Sequence, residues 1–391
     1  MTLSHRRGVV ATMTALVAVA SLALAGCSSA AGGGAGSTGS QHDYTGPAAD
    51  SAEAAALIES AGQVDNTDWC GTGKITVGVE DPYGANGWSA SSYAAVRSEL
   101  AKCSNVTQIV SAGQGDLNAA IQNTNADVSQ GAAAIVILPL FGESQLPSIQ
   151  AATKAGVKVV PWAQSPGGTV GKDYVDAVLW NAPALGTAWA EWMAKQLNGK
   201  GNLVYLGGPA GNQSSADILS GIAFVAEKNP GLKLLTGKTD FVATNWDQSK
   251  GQSEMAALIA KYPQIDGVIT DDSSVAAGAL AAFTAAGRAL PLIASVESNQ
   301  LACAYQDAKA THPELQLATS SARNWLGRIA ARKAVAAAQG LPEDSPSSFN
   351  LPIYEDSVNG PAPQCDKSAS PSTFFSNQIS AADLAKYGKS S

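Results

Sequence analysis

From Lys74 onward the chain alternates between two hydrophobic patterns. Short apolar, β-branched runs at 74–79, 106–110, 134–138 and 157–162 alternate with helical periodicity at 89–100, 116–130 and 146–155. This predicts βαβ units around a parallel sheet. A second series repeats it, with helices at 184–197, 214–227, 247–261 and 273–286 and strands at 203–206, 232–235, 267–270 and 292–296. The expected fold class is therefore α/β, with two similar lobes built on parallel sheets. A long helix at 323–339 and a late strand at 349–354 follow. Residues 167–176, rich in Gly and poor in large apolar side chains, mark the expected first passage between lobes.

The N-terminal region breaks this pattern. Arg6 and Arg7 precede an apolar segment, 8–24, which runs into Leu24-Ala25-Gly26-Cys27-Ser28. A basic start, an apolar core too short to span a bilayer, and small residues at its end describe a secretion signal covering 1–26. Leu-Ala-Gly-Cys is similar to a bacterial lipobox, which implies cleavage before Cys27 and diacylglycerol on its sulfur. An ordinary signal with an incidental cysteine is the alternative. Arg6-Arg7 leaves open whether export is by the general or the twin-arginine route. Residues 28–51 are mostly Gly, Ser, Ala and Thr, a composition that cannot pack; they predict a flexible tether reaching roughly 25 to 30 Å. The expected organisation is signal 1–26; anchor, tether and lead-in 27–69; first lobe 70–178 with 323–348; second lobe 179–322 with 349–391, including the C-terminal tail.

Composition narrows the chemistry. With 391 residues, 45% of them hydrophobic, there is chain enough for about two cores. A net charge of −8 argues against nucleic acid as partner, and against a membrane held by charge rather than by lipid. Of three histidines, His5 and His42 precede the folded region, leaving His312. Cys70, Cys103, Cys303 and Cys365 form an even set in an exported chain, which predicts two disulfides. Cys70–Cys103 and Cys303–Cys365 are the expected pairs, since Cys70 precedes the first strand and Cys103 ends the first helix, at one edge of a βα unit. Zinc is the rival reading, but no CxxC spacing or neighbouring histidine supports it, and no metal or cofactor is expected.

In open parallel sheets, ligands bind outside the carboxyl ends of the strands. In the first lobe those ends carry Glu80, Asp81, Tyr83, Asn86 and Trp88, then Trp162 and Gln164. In the second they carry Asn212, Trp246, Asp271, Asp272 and Glu297. Aromatic faces beside carboxylates and amides suit a polyhydroxylated ligand, whose CH faces stack on rings while its hydroxyls bond the polar groups.

Four runs carry a family resemblance: Ala155-Gly156-Val157-Lys158-Val159-Val160-Pro161, Leu206-Gly207-Gly208-Pro209-Ala210-Gly211-Asn212, Thr244-Asn245-Trp246-Asp247-Gln248-Ser249-Lys250-Gly251, and Gly278-Ala279-Leu280 through Ala285-Ala286-Gly287-Arg288. In order and spacing the chain resembles the type I periplasmic binding proteins of the ribose and pentose kind. The resemblance implies two Rossmann-like lobes joined by a three-segment hinge, closing on one sugar or polyol, and a lipid-anchored monomer that delivers it to an ABC permease at the outer face of the bacterial cytoplasmic membrane. By position, Trp246 matches a stacking aromatic, although a core tryptophan would also explain it. Asp272 stands where pentose binders carry Asn, and Glu297 where they carry Asp; solvated loop acids are the alternative for both. Trp88 falls near first-lobe aromatics, Trp180-Asn181 at the first crossover, and Ser321 loosely at a crossover Gln. The two ligand arginines of pentose binders are replaced by Gln164 and Ile218, which leaves Arg323 as the nearby basic candidate. The acids beside tryptophans also permit a small cationic ligand held by cation–π contacts.

Enzyme motifs are poorly represented. The run 231–239 is one residue too long for a phosphate loop, and its middle reads as strand. No GxSxG elbow occurs, and a triad would depend on His312, which precedes Pro313. Asp271 with Glu297 could serve a glycosidase. Asn123 to Asp127 imitates part of a calcium loop without its glycine. Trp189 and Trp192 have the spacing of core residues on a helix. Besides binding without turnover, glycan hydrolysis or ligand sensing by an envelope lipoprotein on the same fold remains open.

Overall fold

The computed structural model describes residues 66–81, 83, 84 and 86–389. The expected signal, Cys27 and the tether lie outside the described residues. The first lobe contains β1 (Ile75–Asp81), α1 (Gly87–Leu100), β2 (Val106–Ala112), α2 (Leu117–Ser129), β3 (Ala134–Ile137), α3 (Leu146–Lys154) and β4 (Lys158–Pro161). Its strands pair in parallel in the order β2-β1-β3-β4, with Val77 set between Gln108 and Ala134. β3 reads Ala-Ile-Val-Ile and is buried at every residue, as a strand covered on both faces must be.

The chain continues through β5 (Leu179–Trp180), α4 (Ala182–Gln196), β6 (Gly201–Gly207), α5 (Gln213–Lys228), β7 (Leu232–Leu234), β8 (Val242–Ala243), α6 (Gln248–Lys261), β9 (Gly267–Thr270), α7 (Ser273–Ala285), β10 (Leu292–Val296), α8 (Asn299–Lys309) and β11 (Leu317–Ser320). It ends with α9 (Leu326–Gln339), β12 (Ser348–Phe349), β13 (Ile353–Asp356) and α10 (Ala381–Tyr387). The second sheet has the order β13-β11-β10-β9-β6-β7, with β8 also beside β6; only the edge strand β13 runs antiparallel. α9 returns to the first lobe, packing on α1, β3 and β4. The chain thus crosses between lobes at 179–181, at 321–325 and at 349–353, and the first and third crossings pair through β5 and β12.

Four sequence expectations are corrected. Residues 167–176 do not cross; they fold back on the first lobe, where Val175 N donates to Val159 O and the Tyr174 ring is fully buried. The helix expected from Arg323 starts at Leu326, because Arg323 adopts a left-handed φ of 60°. The strand expected at 349–354 divides into β12 and β13 around Leu351-Pro352. The tail does not stay on the second lobe, since α10 lies against α1. β5, β8, α8, β11 and α10 carry no signal in the hydrophobic pattern as read above. Disulfides join Cys70 to Cys103 and Cys303 to Cys365.

Candidate functional site

A cleft of about 530 Å³, its open mouth included, lies between the lobes at the carboxyl ends of the strands. Its walls bring together Tyr83, Asn86, Trp88, Gln164, Trp180, Trp246, Asp271, Asp272 and Arg323 from the sequence reading. Leu138, Leu140, Ala163 and Ser214 complete the lining. Leu138 reads in the sequence as the end of a buried strand, Leu140 falls between predicted elements, and Ser214 reads as a first-turn helix residue, so none of them carries a signal for the site.

The lobes touch directly across this cleft. Tyr83 Oη donates to Asn245 O at 2.6 Å, and its ring meets the Trp246 ring edge-on with centroids 5.5 Å apart. Gln164 Oε1 accepts from Asn212 Nδ2 and Ser214 Oγ, both at 3.4 Å. Burial, with Asp272, Asp247 and Asp81 nearby, pushes the Tyr83 phenol up to about 12, so it stays a donor at physiological pH.

Trp246 is held by its backbone and by a carboxylate. Asn245 and Trp246 are consecutive residues with φ near 55° and 52°, a conformation that costs non-glycine residues free energy. Ala163 and Arg323, both at φ 60°, also line the cleft, so backbone strain is concentrated there. A Cβ at Gly208 would lie 2.3 Å from the Trp246 ring, so only glycine lets the indole sit against that backbone. The indole Nε1 donates to Asp271 Oδ1 at 3.0 Å. Asp271 Oδ2 accepts from Ser215 Oγ and from Tyr205 Oη. Burial raises Asp271 to about 6. With both oxygens engaged, Asp271 positions Trp246 and has little capacity left for a ligand.

Asp272 differs. Its Oδ1 caps α7 by accepting from Ser274 N and Val275 N, while Oδ2 receives no hydrogen bond from a described residue. Opposite stands Arg323, whose guanidinium lies 4.4 Å from the Trp180 ring centroid and 5.8 Å from that of Trp88. Its Nη1 is enclosed and unpartnered. Burial lowers the Arg323 pKa, while Asp271 and Asp272 oppose that shift. Trp88 is fixed in turn: its Nε1 donates to Ala322 O, and its ring stacks on Trp162 at 5.8 Å and 17°. One face of Trp180, and at longer range one of Trp88, is therefore occupied by the protein's own arginine and not left for a cationic ligand.

The remaining candidates lie behind the lining. Glu80 points beneath the first sheet, where Oε2 accepts from Thr124 Oγ1; burial and then Asp127 push its pKa well up. Asp81 Oδ1 accepts from Tyr83 N and Gly84 N and so shapes the turn that presents Tyr83. Trp162 supports Trp88. Asn181 and Asn212 are N-caps of α4 and α5, as Asn86 is of α1. Glu297 accepts from the backbone N–H groups of Phe375 and Ser376, and burial raises it to about 7. Ser321 Oγ bonds Ser376 Oγ. Asp271 and Glu297, the pair considered for glycoside cleavage, are thus each bound to other parts of the protein. Among the described residues no cluster of three or more His, Cys, Asp or Glu could hold a metal ion.

Two sheets joined by three crossings thus have a polar and aromatic cleft between them. The periplasmic binding protein domain family matches residues 78–342. The chain belongs to that family. Among curated relatives, a xylitol-binding protein of Mycolicibacterium smegmatis is 29% identical over 189 residues, 48% of this chain and 52% of the relative. The chain thus spans about half the length of that relative, and 31% and 63% of two others, a D-apiose import binding protein of Actinobacillus succinogenes and a galactofuranose-binding protein of Escherichia coli. Solved structures of similar fold include an arabinose-transporter binding protein from Shewanella sp. bound to L-arabinofuranose, with TM-score 0.62, 21% identity, and 70% of this chain and 89% of that one covered. A Bacillus halodurans solute-binding protein with bound myo-inositol gives TM-score 0.62 at 20% identity, covering 72% of this chain and 94% of that one. The family fold accounts for the crossings and for the place of the cleft.

Proposed function

We propose that this chain is an extracytoplasmic solute-binding protein, anchored through lipid on Cys27, that captures one neutral sugar or polyol between its lobes and hands it to an ABC permease without altering it. The observation that carries this reading is a cleft that places the cation of Arg323 opposite the open acceptor Asp272 Oδ2, with Trp88, Trp180 and Trp246 in its walls. A hydroxyl both accepts and donates, so a polyhydroxylated ligand can bond both charged groups while a CH face lies against Trp246, the tryptophan that Arg323 does not cover. Relatives and structural neighbours named for xylitol, L-arabinofuranose and myo-inositol support the ligand class. A cationic ligand is disfavoured because Arg323 already brings a positive charge into the cleft.

Thermal shift of the tether-free domain against pentoses, hexoses, polyols and small cations tests the reading. A ligand at a hundred times its Kd adds about 2.7 kcal/mol. A rise with one sugar or polyol, recovered chemically unchanged, is expected. A rise with cations alone, or turnover of a glycoside, would overturn it. Metabolic labelling with a fatty-acid analogue, lost in Cys27→Ser, tests the anchor.

A further inference from the structure

After β13 the chain does not end on the second lobe. On that lobe it is fastened by the Cys303–Cys365 disulfide, and Asn299 Nδ2 donates to the carbonyls of Asp366, Ala369 and Ser370. Asn299 N donates to Thr373 O, and Glu297 receives the N–H groups of Phe375 and Ser376 at 2.9 and 3.0 Å. At the second crossing Ser376 Oγ bonds Ser321 Oγ at 2.7 Å. The segment then grips the first lobe. Asn377, fully buried, donates from Nδ2 to Ser91 Oγ at 2.7 Å and to Ser91 O at 3.2 Å, and a Cβ at Gly87 would lie only 2.2 Å from Ser372 Oγ. Farther along α1, Arg97 Nη1 donates to Tyr387 O and Lys389 O at 2.8 and 2.9 Å.

We infer that residues 365–389 are a fourth tie between the lobes, outside the three crossings, which holds the empty protein near its closed form and thereby raises ligand affinity. The geometry makes this a tie and not a passive tail. Its grips on the first lobe run from Gly87 to Arg97, about 15 Å along α1 at 1.5 Å per residue, so at least one grip stands well away from the crossings. Opening the lobes must break those bonds or drag α10 with α1, because the other end is covalently fixed to α8. Its turn at 374–377 also fills the carboxyl end of β10, a strand end where ligands bind in open sheets, so the ligand is confined to the part of the cleft bounded by Trp88, Trp180 and Trp246. A binding-competent form that is already populated needs no binding energy to assemble.

The affinity part rests on the binding function proposed above; the geometric part does not, and the experiment separates them. Asn377→Ala removes the grip on Ser91, and Arg97→Ala the grip on the end of the chain. Small-angle X-ray scattering of full-length folded protein, with no sugar present, is expected to give a larger radius of gyration for each variant than for the wild type. If Asn377→Ala fails to fold, Arg97→Ala, a change outside the hydrophobic core, carries the comparison. Equal radii for empty wild type and folded variant would overturn the tie. For any sugar or polyol that stabilises the wild type, xylitol being the first probe, the variants are expected to bind about tenfold more weakly, the factor by which the closed population falls. Larger radii with unchanged affinity would overturn the affinity part. A wild type that binds no sugar would count against the proposed function and leave scattering to decide the tie.

Discussion

At the residue scale, polar side chains at the carboxyl ends of strands serve two masters. Each strand end is followed by a helix N-terminus whose free N–H groups call for Asn, Asp or Ser, the same residue types that recognise hydroxyls. Asn181 turns out to be a cap behind the cleft, Asn212 a cap whose Nδ2 also reaches Gln164 of the other lobe, Asn86 a cap that also lines the cleft, and Asp272 caps with one oxygen while keeping the other open. Residue type and spacing cannot separate these cases; side-chain direction does. The tryptophans were more legible because large aromatic rings at strand ends have few other places to go. Trp246→Ala is expected to leave the fold intact and weaken sugar or polyol binding by about tenfold to a hundredfold, an effect of 1.4 to 2.8 kcal/mol. Titration calorimetry checks this, and unchanged affinity would remove Trp246 from the site. Arg323→Leu is expected to lower affinity at least about tenfold while the melting temperature holds or rises, since a partly paired buried charge is exchanged for an apolar side chain. A large loss of stability in that variant would show that Arg323 is structural.

At the element scale, helices and strands with strong periodicity were visible, and those with polar sequences were not. α8 reads Asn-Gln-Leu-Ala-Cys-Ala-Tyr-Gln-Asp-Ala-Lys, with too few large apolar residues to show a face. β11 reads Leu-Ala-Thr-Ser, yet all four residues are buried, because Thr319 Oγ1 finds Glu355 and the strand lies between two others. Such a strand is stable only where tertiary partners satisfy its hydroxyls. The helix pair α4 and α5 shows the opposite dependence, on small residues: a Cβ at Gly186 would lie 2.0 Å from Ile218 O, and one at Gly221 would lie 2.0 Å from Pro183 O. The two glycines let the helix backbones meet. Gly221→Ala is expected to cost about 1–3 kcal/mol through overpacking, read as a lower midpoint in urea unfolding. A neutral result would mean that the helices separate more easily than their contact suggests.

At the scale of the whole molecule, buried carboxyls set the response to pH. Burial lifts Asp271 and Asp127 to about 6 from 3.8, and Glu297 to about 7 from 4.5. Between those unfolded and folded values the native state holds more protons than the unfolded chain, so stability is greatest below the window and is lost as pH rises through it. The melting temperature is expected to be several degrees higher at pH 5 than at pH 7.5, and a scanning calorimetry series in which it rises over that interval would refute the assignment. The amino-acid sequence by itself determined the α/β alternation, the two lobes, an even set of cysteines suited to two disulfides, and the aromatic and acidic character of the strand ends. Each of these depends on local periodicity or on residue type, which a linear pattern records. Only the tertiary structure decided that Arg323 turns into the cleft between Trp88 and Trp180, that Asp271 supports Trp246, that Glu297 holds the tail, and that residues 377–389 return to the first lobe. Those outcomes depend on side-chain direction and on contacts between residues tens to hundreds of positions apart, which become defined only when the lobes have folded and met.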